Sequence, residues 1–383
     1  MYDDLLEEAA KRVEDLRRKL YKVIPQSVRE RILSSFKKYN FGASEGLRGV
    51  NRIVGVDGGS YCYSTMAFDL YLIKVYGVAI SQSASGSLEM IGESKIIDID
   101  FMIPPHKVGD RLNLYRDVGE VRITTENIDS STLILADGSV ESLLTRPTHL
   151  KLEQLDRYIY YIDYKELEKT VLHQTSNYNV ISVKKLVEKI IEKRDFKNDK
   201  ELELKTNTIE LSEKAIIVRE FFRKILEKKA IVIFITKTGR SNRLFRRQLP
   251  DQYILSVITK EPGFLLEDEQ PVKLSREIRL PQAFNLREYG GRIGLLRGYA
   301  RLDRGAQIMR VEVIAPREIF PSDLEGFFTS ILERINSICV NGYPYPLILA
   351  HQKAHIEKRS AEIIVEALGF REELTGREVI ERV

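Results

Sequence analysis

Two kinds of hydrophobic pattern alternate along the chain. Short apolar runs closed by glycine or polar clusters are typical of buried strands, and apolar residues recurring every three or four positions are typical of amphipathic helices. The predicted strands lie at 53–57, 70–80, 88–99, 133–137, 230–235, 253–259, 293–301 and 308–314. The predicted helices lie at 2–40 with a break at Pro25, 111–122, 150–164, 165–212, 215–226, 319–338 and from 356 onward. The pattern therefore predicts an α/β protein whose sheet is flanked by helices.

The same pattern divides the chain into parts. Residues 1–45 form a predicted N-terminal helical arm, residues 46–360 a main domain, and residues 361–383 a helical tail. Within the main domain, residues 165–212 are rich in lysine and glutamate and poor in glycine and proline. Charge runs of this kind are typical of solvated faces, so we expect an insertion of surface helices there.

Two of the predicted strands end on an aspartate. The first run reaches Asp57, with Gly58 and Gly59 behind it, and the run at 133–136 reaches Asp137, with Gly138 behind it. An aspartate at the end of a buried strand is costly unless a cation or hydrogen-bond donors compensate its charge. The glycines predict sharp turns at which a phosphate or a metal can approach the backbone closely. If the two strands are neighbours, both carboxylates lie at one edge of the sheet.

A third acidic residue and two histidines extend this set. Glu120 lies near the apolar face of the helix predicted at 111–122, where a carboxylate is either exposed at the boundary or turned inward to a ligand. Carboxylates together with His351 or His355 suit Mg²⁺ or Mn²⁺, and manganese tolerates an imidazole better. Two such ions about 4 Å apart can activate water and stabilise the leaving oxygen in phosphodiester hydrolysis.

Composition and charge narrow the class of protein only slightly. At 383 residues, with 43% apolar and 30% charged residues, the chain can bury a sizeable core. A net charge of +4 does not by itself indicate nucleic acid. No apolar run approaches the roughly 18 residues of a membrane-spanning helix. Cys62 and Cys339 are too few for a disulfide framework or a zinc site, which fits a reducing cytoplasm. Together these features predict a cytoplasmic protein without membrane contact.

Two further segments combine polar groups in an unusual way. Basic residues follow the strand predicted at 230–235 and can pair with phosphates, while Phe245 can stack on a base; the alternative is a solvated basic helix. The basic residues are Lys237, Arg240, Arg243, Arg246 and Arg247. Downstream, two prolines predict an extended segment between Tyr343 and His351. Both side chains could instead have purely structural roles. Tyr343 could pack in the core, and His351 could lie at the start of a helix and bond to its backbone.

In order and rough spacing, these motifs resemble those of the NurA family of archaeal nucleases, from about residue 50 to 360. The motifs are Val-Asp-Gly-Gly-Ser at Asp57, an acidic residue in an arginine-rich helix at Glu120, Ala-Asp-Gly-Ser at Asp137, Thr-Lys-Thr-Gly-Arg-Ser around Lys237, and Gly-Tyr-Pro-Tyr-Pro-Leu-Ile-Leu-Ala-His ending at His351. The resemblance implies an RNase H-like mixed sheet in residues 46–360 and a ring-shaped homodimer with a central channel. It also implies a Mn²⁺-dependent single-strand endonuclease and 5′-to-3′ exonuclease, with Mg²⁺ as the alternative metal. Such enzymes act on single-stranded and end-processed double-stranded DNA, and resect DNA ends for recombination with the hexameric HerA ATPase.

The resemblance also assigns roles to residues. Asp57, Glu120 and Asp137 become metal carboxylates, His351 a ligand or proton-transfer group, and Tyr343 a group that positions the scissile phosphate, with Tyr345 as its competitor for that role. The DNA-binding residues expected beside them are Lys237, Arg240, Arg243, Phe245 and Arg246.

Two other functions are compatible with parts of the pattern. An ATP-binding protein of the actin and sugar-kinase type would use the two Asp-Gly turns to hold phosphates and Mg²⁺. It would leave Glu120 and the segment ending at His351 without a role. A non-catalytic scaffold or DNA clamp would use all three carboxylates as turn and cap residues. A nuclease predicts loss of DNA cleavage in Asp57→Ala, and a kinase-like protein predicts ATP binding.

Overall fold

The fold is a mixed α/β structure built on one large sheet. The computed structural model describes residues 8, 11–13, 24–41, 52–65, 68–83, 86–145, 164–172, 180–280 and 286–369. Its helices are α1 Gln26–Ser35, α2 Val108–Glu126, α3 Val140–Leu144, α4 Tyr164–Leu172, α5 Lys184–Glu192, α6 Asp199–Lys228, α7 Asp251–Ile258, α8 Leu286–Arg292, α9 Leu324–Asn336, α10 Tyr345–Ala354 and α11 Lys358–Ala367. Its strands are β1 Lys37–Lys38, β2 Arg52–Ser64, β3 Asp69–Gln82, β4 Leu88–Phe101, β5 Thr132–Asp137, β6 Val232–Thr236, β7 Gly263–Leu266, β8 Val272–Lys273, β9 Ile293–Arg301, β10 Met309–Pro316, β11 Cys339–Val340 and β12 Tyr343–Pro344.

The sheet mixes parallel and antiparallel pairs. Its strand order is β1-β7-β9-β10-β6-β5-β2-β3-β4, with β8 paired to β9 outside this path. β2 and β6 each pair with β5 in parallel, and β2, β3 and β4 form an antiparallel meander. The mixed sheet flanked by helices confirms the predicted fold class, and its RNase H-like character stays a prediction.

Helices cover both faces of this sheet. On one face, a large apolar cluster joins the sheet to α2 and α6. On the other face, a second cluster joins it to α9 and α10. A third cluster contains Val28 and Ile32 of α1 together with Ile254 and Leu255 of α7. Residues 24–36 of the predicted N-terminal arm therefore pack on the main domain.

The first aspartate-ending strand is longer than predicted. β2 continues through Gly58 and Gly59 to Ser64, so no turn follows Asp57 and that prediction is wrong. These glycines provide clearance instead. A Cβ at Gly55 would lie 2.6 Å from the Leu347 nitrogen of α10, and a Cβ at Gly59 would collide with the Ala354 carbonyl oxygen. Both positions therefore let the α10 backbone lie directly on the strand.

The charged segment at 165–212 is not solvated throughout. Its second half belongs to α6, where residues 206–218 are buried, so the predicted solvated face is wrong there. The charges are compensated by ion pairs with α2. The three pairs are Arg111–Glu210 at 2.7 Å, Arg122–Glu213 at 2.7 Å and Lys214–Asp117 at 2.9 Å. A pattern of charged residues alone does not distinguish a solvent-exposed helix face from a buried face whose charges form ion pairs with a neighbouring helix.

Two further local predictions differ from the structure. Residues 253–259 do not form a strand, because Asp251–Ile258 is the helix α7 with Ile254 and Leu255 buried. Short apolar runs of this length do not distinguish the two elements. The segment leading to His351 is extended only at Tyr343–Pro344 and is helical from Tyr345 onward. Pro346 lies in the first turn of α10, where its missing N–H has no intrahelical partner to lose. The predicted helix at 150–163 and the tail beyond 369 lie outside the described residues.

Among the helices that the structure describes, none is long and apolar enough to cross a membrane.

The clearance at Gly55 predicts a specific cost for adding one methyl group. We expect Gly55→Ala to lower the free energy of unfolding by about 1–3 kcal/mol, because the new Cβ must displace helix backbone. Chemical denaturation at equilibrium measures the effect. Gly92→Ala is the matched control, since Gly92 is also a strand glycine but no atom lies within 4 Å of the position that a Cβ would take there. Equal stability of the two variants would contradict the packing argument.

Candidate active site

Asp57 and Asp137 occupy neighbouring positions on parallel strands. Val56 pairs with Ala136, and the next residue of each strand is an aspartate. Asp57 is buried at 6% exposure, and its Oδ1 accepts a hydrogen bond of 2.8 Å from the Gly58 amide. Asp137 ends β5, and Gly138 follows in the left-handed region at φ +108°, before α3 begins. The sequence prediction that both strands are neighbours and bring the two carboxylates together is therefore met.

Helix α10 places a histidine on the first of these carboxylates. Nδ1 of His351 lies 2.7 Å from Oδ2 of Asp57. An ionised carboxylate only accepts, so the Nδ1–H donates and Nε2 is left to ligate or to move a proton. His355 lies one turn further on, with its ring centroid 6.1 Å from that of His351. The contact with Asp57 thus distinguishes the two histidines that the sequence left as alternatives.

Tyr343 and Lys237 meet at the second carboxylate. The Tyr343 hydroxyl donates to Asp137 Oδ1 at 3.3 Å, and Lys237 Nζ lies 3.8 Å from Asp137 Oδ2. The same ammonium lies 4.1 Å from the centroid of the Tyr343 ring, which is cation–π geometry. Both Tyr343 and Tyr345 pack against the second apolar cluster, and the hydrogen bond to Asp137 is what distinguishes Tyr343.

The environment changes the acidity of these groups. Burial, and then the negative charge of Asp57, raise the pKa of Asp137 above its usual value, while Lys237, Tyr343 and His351 act in the opposite direction. Burial, followed by the charges of Asp137 and Asp57, raises the pKa of the Tyr343 phenol. Tyr343 therefore stays a hydrogen-bond donor at any physiological pH.

Glu120 approaches the site from the face of the sheet that lies opposite α10. It is carried by α2, and its Oε1 lies so close to β2 that a Cβ at Gly58 would be 2.6 Å away. Arg116, one turn earlier, lies 3.6 Å from Glu120. Burial is the largest cause of a strongly raised pKa at Glu120, and the negative charges of Asp117, Asp57 and Asp137 add to it. The three carboxylates therefore act on one another electrostatically, as a shared site requires.

The chemistry of the donors fits a hard divalent cation. Carboxylate oxygens with one imidazole are ligands for Mn²⁺ or Mg²⁺, and carboxylates with raised pKa values are the groups whose charge such a cation would compensate. Within the described part of the chain, no three His, Cys, Asp or Glu side chains already form a close ligand group. Asp57, Asp137, Glu120 and His351 are thus the donors that such a cation would use, although in the described residues no three of them are close enough to form a ligand group.

The basic segment forms a loop after β6, which we call the basic loop (residues 237–247). Arg240 and Arg246 are exposed, and Arg243 lies 3.4 Å from Glu277. Phe245 is only 7% exposed and belongs to the third apolar cluster, so the prediction that it stacks on a base is wrong. A large aromatic ring is more stable in the core than on a solvent-exposed loop. The basic residues next to Phe245 in the sequence gave no sign of this burial.

Sequence reasoning missed the charged neighbours of Glu120. Arg116 and Asp117 precede it by one turn, and Lys214 of α6 pairs with Asp117. The spacing of Arg116 and Glu120, four residues apart on a helix, was the available signal. The position of Lys214 had none, because it depends on the packing of α6 against α2.

Comparison with known sequences identifies the family. The model of the NurA domain matches residues 51–356. The DNA double-strand break repair nuclease NurA of Saccharolobus solfataricus is 20% identical over 374 residues, which are 96% of this chain and 94% of that protein. The corresponding protein of Sulfolobus acidocaldarius is 22% identical over 377 residues, covering 96% of each chain.

Solved structures agree in fold. The crystal structure of the NurA nuclease from Sulfolobus solfataricus superposes with a TM-score of 0.62 at 17% identity, covering 96% of this chain and 95% of that one. A crystal structure of NurA bound to dAMP and manganese gives a TM-score of 0.65 at 14% identity, covering 96% and 98%. The matched residues 51–356 include Asp57, Glu120, Asp137, Tyr343 and His351, and on this evidence the chain belongs to the NurA family.

Proposed function

We propose that this protein is a metal-dependent DNA nuclease that uses Mn²⁺, with Mg²⁺ as the alternative. The observation that carries the proposal is the convergence of Asp57, Asp137 and Glu120 at one place on the sheet, with His351 on the first carboxylate. The curated relatives are named as DNA repair nucleases, and NurA has been crystallised with manganese and dAMP. These names support the substrate class and the metal.

Each site residue has a distinct part in phosphodiester hydrolysis. Asp57, Asp137 and Glu120 would hold the metal, which when bound supplies Lewis-acid activation of water and of the phosphate. His351 is oriented by its bond to Asp57, so that Nε2 can ligate or carry a proton. The Tyr343 hydroxyl and the Lys237 ammonium converge on Asp137, where they can hold a phosphate oxygen. The exposed Arg240 and Arg246 would pair with the DNA backbone, with Arg243 beside them.

The finer activity rests on the motif resemblance. We infer single-strand endonuclease and 5′-to-3′ exonuclease activity in the resection of DNA ends, together with a HerA-type hexameric ATPase. The working unit would be a homodimer. These assignments depend on membership of the family rather than on any contact within the chain.

The kinase-like alternative loses its main support. It requires Asp-Gly turns after both strands, whereas β2 continues past Asp57 as extended chain. Only the turn at Asp137 has the required form among the described segments that carry these two aspartates.

The first test is cleavage of an end-labelled single-stranded oligonucleotide with Mn²⁺, Mg²⁺ or EDTA. We expect Asp137→Ala to lose at least about a thousandfold in rate, because it removes several kcal/mol of transition-state stabilisation. Its melting temperature should not fall, since the substitution also removes carboxylate repulsion. Asp129→Asn, which changes an exposed aspartate preceding the same strand, is the matched control and should cleave normally. Cleavage by Asp137→Ala at the wild-type rate would refute the assignment.

A second test separates the two histidines. We expect His351→Gln to lose about 10²- to 10⁴-fold in kcat, the range typical of a positioned proton-transfer group. His355→Gln should remain within a few-fold of wild type, because its ring lies a helical turn beyond the contact with Asp57. Steady-state kinetics on the same oligonucleotide measures both. Equal losses in the two variants would assign no special role to His351.

A third test uses the raised pKa of Glu120. A folded-state pKa above the ordinary 4.5 means that the native state binds more protons than the unfolded chain, so this carboxylate lowers stability as pH rises from 4.5 toward the raised value. In EDTA, we therefore expect Glu120→Gln to melt above wild type at neutral pH and to lose that advantage near pH 4. Added Mn²⁺ should stabilise wild type more than the variant.

Calorimetry across pH, with and without Mn²⁺, gives this comparison. Glu141→Gln is the matched control, because Glu141 is an exposed glutamate on α3. An advantage of Glu120→Gln that persists unchanged at pH 4 would show that the effect is not electrostatic in origin.

A further inference from the structure

The basic loop is held by two adjacent side chains at the start of α7. Asp251 and Gln252 are almost completely buried, at 0% and 6% exposure, although both are polar. Buried polar side chains need hydrogen-bond partners, and here most of the partners are backbone groups of the loop and of the strand before it, with the Ile308 carbonyl as a further one. Neither residue belongs to a motif that the sequence singled out.

Gln252 fixes the half of the loop that carries Lys237. Its Nε2 lies 3.1 Å from the carbonyl oxygen of Thr236, 2.6 Å from that of Lys237 and 2.5 Å from that of Ile308. Its Oε1 accepts a hydrogen bond of 2.7 Å from the Gly239 amide. These contacts fix the orientation of the Gln252 side-chain amide. Its NH₂ group must face the three carbonyl oxygens, since only this group can donate to them, and its oxygen faces the one N–H.

These contacts reach the carboxylate site through the backbone. The Thr236 hydroxyl donates to the Gly138 carbonyl at 2.7 Å, which ties the end of β6 to the turn after Asp137. The next residue, Lys237, extends its ammonium to Asp137 and to the Tyr343 ring. A lysine side chain has many rotamers, so a fixed backbone origin is what keeps Nζ near these two groups.

Asp251 fixes the other half of the loop. Its two carboxylate oxygens accept hydrogen bonds from the amides of Leu244, at 2.9 Å, and Phe245, at 3.0 Å. Its own amide donates to the Ser241 carbonyl at 2.8 Å. Arg243 and Arg246 flank this anchored segment. Gln252 and Asp251 thus each anchor a different half of the basic loop.

We propose that Gln252 is a positioning residue that holds Lys237 at Asp137 and Tyr343, and that Asp251 in the same way holds the arginine-bearing half of the loop for the DNA backbone. The inference depends on the proposed nuclease function for its catalytic consequence. It goes beyond that function by assigning the geometry of the phosphate-binding lysine to a side chain that touches neither DNA nor metal.

A double-mutant cycle tests the coupling between Gln252 and Lys237. We expect Gln252→Leu to reduce kcat by about ten- to a hundredfold with little change in KM, because displacing a charged group by about 1 Å has effects of that size. In a Lys237→Ala background, the same substitution should have no further effect on kcat. A full additional loss in that background would overturn the proposal, since Gln252 would then act by another route.

Two matched variants separate positioning from general stability. Gln307→Leu removes a second donor to the Lys237 carbonyl, at 2.6 Å, from an exposed side chain, and should change kcat little. Asp251→Asn should raise KM more than it lowers kcat, because its half of the loop carries the arginines. Identical kinetic changes in Gln252→Leu and Asp251→Asn would contradict the proposal that the two residues hold different halves of the loop.

If Gln252→Leu does not fold, Gln252→Glu is the second variant. It keeps the side-chain volume but replaces the NH₂ donor with a carboxylate oxygen, and the same double-mutant cycle applies.

A readout independent of cleavage distinguishes failure of this inference from failure of the proposed function. Hydrogen exchange at the Gly239 amide should accelerate in Gln252→Leu, which removes its acceptor, and less so in Gln252→Glu, which keeps it. Unchanged exchange in Gln252→Leu would overturn the anchoring, whether or not the protein cleaves DNA. Accelerated exchange in this variant, with a wild-type protein that cleaves no DNA with any metal, would support the anchoring and reject the nuclease.

Discussion

The site depends on the direct contact between the backbone of α10 and the strand β2. Gly55 and Gly59 have no side chains to separate them, so the helix lies on the strand from Leu347 to Ala354. This approach places His351 against Asp57, on a strand where the carboxylate is otherwise buried. The glycines of the motif therefore serve helix packing, and the strand stays extended through them. A phosphate-binding turn at this point would have required the opposite geometry.

The electrostatic balance of the site explains which residues surround it. Asp57 and Asp137 lie on neighbouring strands, and Glu120 adds a third negative charge from the other face. Lys237 and the Tyr343 hydroxyl offset part of this charge at Asp137. The pKa values of Asp137 and Glu120 nevertheless stay raised, because burial and the neighbouring carboxylates disfavour the ionised forms, a penalty that a bound cation would offset. Residues arranged in this way favour binding over stability, which is common in active sites.

The parts of this structure that were predictable are those with a local signal. The neighbouring position of the strands that carry Asp57 and Asp137 was predictable, because each has a short apolar run that reaches an Asp-Gly motif. The burial of Phe245 was not, since its neighbours in sequence are basic and its apolar partners lie on α1, α7 and β9. The same applies to α6, because the partners of its buried charges, such as Arg111 and Arg122 of α2, are distant in sequence. The segment before His351 contains two prolines, and only the structure shows that the first caps a helix and the second lies in its first turn.

A buried charge outside the site connects the two elements next to Glu120 and Asp137. Lys214 of α6 is buried, and its ammonium contacts Asp117 at 2.9 Å, together with the carbonyl oxygens of Ser142 at 2.9 Å and Thr145 at 3.4 Å. Asp117 lies one turn from Glu120 on α2, and Ser142 lies on α3, directly after the turn at Asp137. A buried ammonium needs all of these acceptors, so α2 and α3 cannot separate without leaving it unpaired. The charged helix α6 thus ties the helix that carries Glu120 to the helix that follows Asp137.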